Sequence, residues 1–109
     1  MDNNIYYNPE KFGLEVVDSL EYSSGCYEFD TRVIWKQKAT GKLLTLADSG
    51  CSCPTPFESY GIEDADDITE NYEWFLKNEW TEADSYRKEN VSKADLESVI
   101  ESCRRALQS

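Results

Sequence analysis

The 109-residue chain contains no histidine. That absence removes the commonest general base near neutral pH and the usual ligand of catalytic zinc. A cysteine nucleophile would have no imidazole beside it, and the chain is read as non-enzymatic. Also missing is any apolar run close to the roughly 20 residues that a membrane-spanning helix needs. Met1-Asp2-Asn3-Asn4 lacks the basic and apolar regions of a secretion signal, so a soluble, cytoplasmic protein is expected. Positive charge is scarce: 11 Lys and Arg stand against 22 Asp and Glu, for a net charge of −11. Such a field repels nucleic acid and anionic membranes and attracts basic protein surfaces.

What is present points to one folded domain. Three Trp, seven Tyr and four Phe supply enough burial to offset the ordering entropy of a chain this long. The acidity is concentrated. Residues 58–84 carry ten acids and one base, whereas residues 1–57 sum to −3 and residues 85–109 to +1.

In chain order, residues 1–13 read as a lead-in and not as an element. Leu14 to Tyr22 has strand composition, and Ser23-Ser24-Gly25 is a turn signal. Cys26 to Lys38 alternates, with Tyr27, Phe29, Thr31, Val33 and Trp35 on one side. Glu28, Asp30, Arg32 and Lys36 take the other, which predicts one buried and one wet face. Ala39-Thr40-Gly41 turns the chain, Gly41 suiting a left-handed position, and the return strand runs about Lys42 to Ala47. Partner numbers across this hairpin should sum to about 80, which brings Cys26 near Cys51 and Cys53.

The period then changes. Ile68, Tyr72, Phe75 and Leu76 mark an amphipathic helix, with Asp64, Asp66 and Asp67 at its start, where carboxylates favour the helix dipole. Thr81 and Asp84 signal a short second helix. Ser92 with Asp95 is a capping box, and Val91 can staple to Leu96. Leu96, Val99, Ile100, Cys103 and Leu107 form the stripe of a last helix. The expected fold is α+β: a three-stranded antiparallel meander (14–48), a Cys/Pro loop (49–61), and a helical half (62–109) packed on one face. At least one sheet edge is left exposed unless a partner or the N-terminal segment covers it.

The stretch Asp48-Ser49-Gly50-Cys51-Ser52-Cys53-Pro54-Thr55-Pro56-Phe57-Glu58 joins the halves as a stiff connector, because its prolines fix φ and restrict the residues before them. The run from Tyr27-Glu28-Phe29-Asp30 through Trp35 to Tyr60, with Gly-Cys-Ser-Cys-Pro as its specific part, resembles small uncharacterised accessory proteins of actinobacterial tailed phages. The resemblance covers about a third of the chain and carries no activity with it. It implies a phage accessory protein working in the host cytoplasm.

Three groups of residues are candidate sites. Cys26, Cys51, Cys53 and Cys103 could enclose a structural Zn²⁺. The same residues also read as reduced apolar packers, with no cofactor, or as a Cys26 disulfide to Cys51 or Cys53. Asp64, Asp66 and Asp67 could hold Mg²⁺, but capping explains them. Asp66, Asp67, Glu70, Glu73 and Trp74 form an acidic helical surface for a basic protein partner, in the manner of a nucleic-acid mimic, Trp74 lying opposite the core stripe as an interface anchor. The competing reading is a solvated face with Trp74 buried by a neighbour, while Trp80 flanks the core. Asn90-Val91-Ser92 fits a glycosylation pattern but reads as a capping sequence. A small zinc domain, or a domain self-associating through its sheet edge, are the rival functions.

Overall fold

In a computed structural model of the protein, residues 4–25, 27–51 and 56–109 are described. An antiparallel sheet in the order β1-β2-β3-β4 is formed by Leu14–Glu21, Glu28–Gln37, Leu43–Cys51 and Asp66–Asp67. Three helices follow: α1 (Tyr72–Glu82), α2 (Ser85–Asn90) and α3 (Lys93–Gln108). The fold is α+β, with the C-terminal helices packed on the sheet. Hairpin partners such as Lys36 and Leu43, or Glu28 and Cys51, sum to 79. The connecting loop is closed by the amide of Gln37 donating to the carbonyl of Lys42, and it turns on Gly41 at φ 77°, a conformation that costs a side-chain-bearing residue energy.

β3 runs to Cys51, four residues beyond the expected return strand, so Ser49, Gly50 and Cys51 belong to the ladder and not to the connecting loop. Gly50 sits close to the Phe29 ring there: a Cβ would meet it at 3.3 Å, so the ring would have to give by a few tenths of an ångström.

The middle of the sheet, in β2 and β3, is buried on both faces, which corrects the wet-face expectation for β2. On one side Leu20, Tyr22, Ile34 and Leu43 meet Ile68, Leu76, Val91, Leu96, Val99, Ile100 and Cys103 of the helical half. On the other, Leu14, Val33, Trp35, Leu44 and Leu46 pack against Ile5 and Phe57. The lead-in is therefore a packing layer, closed by a 3-10 turn at Pro9–Phe12. Alternation misled because Val33-Ile34-Trp35 and Leu43-Leu44-Thr45-Leu46 are buried at every position, the pattern of strands covered twice. Charged residues of β2 reach across to the helices. Arg32 forks onto Glu79 of α1 (Nε to Oε1, 3.1 Å), and Asp30 accepts from Arg87 of α2 at 2.8 Å. Glu28 accepts from the Tyr86 hydroxyl.

The acidic residues before α1 do not cap it. Asp66 and Asp67 pair with Thr45 and Leu44 as the two-residue edge strand β4, while Asp64 closes a 3-10 turn at Ile62–Asp64 and accepts from the Gly61 amide. Burial of Ile68 draws this segment onto β3, where the Ile68 amide reaches the carbonyl of Leu43. Helix α1 starts only after Asn71. Downstream the Thr81 signal falls inside α1, which runs on to Glu82, whereas the later signals map directly. Asp84 caps α2, and Ser92 and Asp95 form the reciprocal capping box of α3. The Asn90 amide donates to the carbonyls of Tyr22 and Tyr86.

Two carboxylates brace β1, one along its length and one at its end beside β2. β1 bulges between Val16 and Asp18, and Asp18 accepts from the Ser19 amide and from the Ser102 hydroxyl of α3. At its end Glu21 gathers the Ser23 amide and hydroxyl, the Asp30 amide and the Thr31 hydroxyl. Burial pushes the Glu21 carboxyl up, but these bonds outweigh it and hold the group below the ordinary glutamate value.

Candidate protein-interaction site

Helix α1 faces two ways. Phe75, Leu76 and Trp80 turn inward, with Leu76 fully buried and the Trp80 ring nitrogen donating to the carbonyl of Val91 at 2.8 Å. Trp74 turns outward and is 64% exposed, so the buried alternative for this indole does not apply. Nothing in the helix requires an aromatic at that position, since a solvent-facing Trp adds no core burial.

Around Trp74 lies a shallow, open depression of about 490 Å³, lined by Glu70, Asn71, Tyr72, Glu73, Trp74 and Lys77. Its carboxylates differ. Glu73 accepts from Lys77 one helical turn on, at 2.8 Å. That bond and the Lys77 charge hold its carboxyl below the usual value. Glu70 has no hydrogen bond or ion pair among the described residues.

Of the five surface residues expected from sequence, Glu70, Glu73 and Trp74 come together here, while Asp66 and Asp67 stand on β4. Asp67 accepts from the hydroxyl and amide of Thr69, which lower its pKa, and pairs with Lys42 at 3.7 Å. Asn71 and Tyr72 were missed as lining residues. Tyr72 fits the core stripe by period and is half-buried, which leaves part of it at the rim.

The cysteine set is only partly within view. Cys26 and Cys53 lie outside the described residues. Cys51 ends β3 exposed, while Cys103 is wholly buried on α3, where burial and then Asp18 push its thiol up to about 12. A thiol so placed resists becoming the thiolate that a metal binds. Among the described residues no three His, Cys, Asp or Glu are grouped to hold a metal ion.

Three further aromatics stand in solvent: Tyr7 is 58% exposed, Tyr27, just before β2, is 81% exposed with φ 61°, and Tyr86 of α2 is 49% exposed. The left-handed backbone of Tyr27 has no sequence signal, because that region ordinarily belongs to glycine or asparagine.

Among the described residues no helix is long and apolar enough to cross a membrane. No curated protein and no solved structure matches the chain. Over residues 3–106 it matches the family described as a domain of unknown function (DUF7574), and the chain belongs to that family.

Proposed function

We propose that this domain is a non-enzymatic binding module that takes a protein partner with a basic surface on the outer face of α1, around Trp74. The observation that carries the reading is an indole held 64% exposed in a depression whose acidic members, Glu70 and Glu73, outnumber its single base, Lys77. Exposed aromatics of this kind act as anchors that a partner desolvates, while surrounding charge chooses the partner and speeds encounter. The net charge of −11 supports the same sign of partner at long range. The cellular setting we propose, from the resemblance of the Tyr27–Tyr60 run, is the cytoplasm of a phage-infected host, with a host or phage protein as the target.

Capture from host lysate by the immobilised domain, run beside Trp74→Ala and Glu70→Gln/Glu73→Gln, tests the reading. A basic protein retained at low salt, lost above roughly 0.3 M where screening is strong, and lost in both variants is the expected result. Retention that ignores both variants would remove the site.

A further inference from the structure

The six residues around the depression are not electrostatically equivalent. Lys77 already occupies Glu73 at 2.8 Å, so the carboxylate left open is Glu70, in the turn that leads into α1. Tyr72 lines the recess as a second aromatic and Asn71 as a neutral amide. An incoming cation therefore meets one unpaired carboxylate and one exposed indole face. The recess is open to water, so a point charge such as an ammonium gains little from the carboxylate. A planar guanidinium differs, because it is weakly hydrated, stacks on indole and presents a fork that matches a carboxylate. Resting on the basic-partner reading above, we propose that the depression receives an arginine side chain of the partner, stacked on Trp74 and paired with Glu70.

The placement of Lys77 sharpens this inference. It is the one residue of the recess whose removal should improve binding, since Glu73 would then be released as a second acceptor. A face that merely attracts positive charge also gains from that removal, but it gains equally for lysine and arginine ligands.

The probes are three synthetic peptides of about ten residues: arginines spaced by glycine and serine, the same sequence with lysine, and the same with citrulline, which keeps the planar group without the charge. Titration calorimetry at low salt, with the Trp74 indole proton followed by NMR, reads the affinities. The arginine peptide should bind about fivefold or more tighter than the lysine peptide, and citrulline should not bind. Trp74→Ala should erase the arginine preference, Glu70→Gln should weaken binding about fivefold, and Lys77→Ala should strengthen it a few-fold for arginine above lysine. Trp74→Phe, which keeps an aromatic face, should retain part of the preference. Equal affinity for the two charged peptides, or a preference that survives Trp74→Ala, overturns the arginine assignment and leaves the basic-partner reading in place. Failure of both peptides to bind, while lysate capture still depends on Trp74, also overturns the assignment alone. Failure of peptides and capture together removes both.

Discussion

The two faces of the sheet are covered by different means. One is roofed by helices, and their contact mixes aliphatic side chains with the pairs Arg32–Glu79 and Asp30–Arg87, the Arg32 and Arg87 guanidinium groups also lying over the Phe75 and Tyr22 rings at 4.8 and 4.5 Å. The other is roofed by irregular chain. There Phe57 stacks on Tyr6 at 5.1 Å and meets Trp35 edge-on at 6.5 Å, while Asn4 binds the carbonyl of Pro56 and Asp48 the amide of Phe57. Regular structure is thus not what seals a sheet face. A few aromatics, with their backbone groups satisfied, do it as well. The helical face differs in needing α1 for only half of its circumference, which leaves Trp74 to solvent.

The contrast can be broken most sharply at Phe57. It is fully buried at φ 63°, so Phe57→Ala should cost about 3–5 kcal/mol, read by denaturant unfolding. A fall below about 1 kcal/mol would mean that the irregular layer is dispensable. Next comes Arg32, whose side chain is 11% exposed against 19% for Glu79. Arg32→Met leaves Glu79 under the helices without its partner and should cost about 3 kcal/mol, while Arg32→Met/Glu79→Leu should recover most of it. No recovery would show that the pair is not the main tie of α1 to β2.

Glu21 provides a pH test at the sheet margin. Its folded carboxyl lies below the reference of 4.5, so its contribution is complete above about pH 4.5 and is lost as pH falls through the lower folded value. Glu21→Gln should flatten the stability profile on the acid side of about pH 4.5 relative to the parent, and parallel profiles would reject the clasp. Smallest of all, Trp74→Ala should change stability by less than about 0.5 kcal/mol while abolishing capture of the partner. A larger loss would make Trp74 structural.

The parts of the fold readable from residues alone are those set by local chemistry. Gly41 places the hairpin turn, and Ser92 with Asp95 places α3 because capping needs only four residues in sequence. What escaped depends on distant chain. Asp66-Asp67 is poor strand material, and it pairs only because Ile68 is drawn into the core. Ile5 carries no periodicity, yet it is fully buried against a face supplied by residues far along the chain. For the site, helical spacing put Glu70, Glu73 and Trp74 together but could not exclude a neighbour covering the indole. Asp66 and Asp67 left the helix with the strand they form.

The carboxylate held in the β1 bulge, Asp18, has a consequence for behaviour at high concentration. By engaging the Ser19 amide and the Ser102 hydroxyl, it uses up a donor that an added chain would need and bends the margin away from flatness. Templated growth into fibrils would have to begin by evicting it, and Asp18→Val is the change that should make a crowded solution of this protein turn turbid.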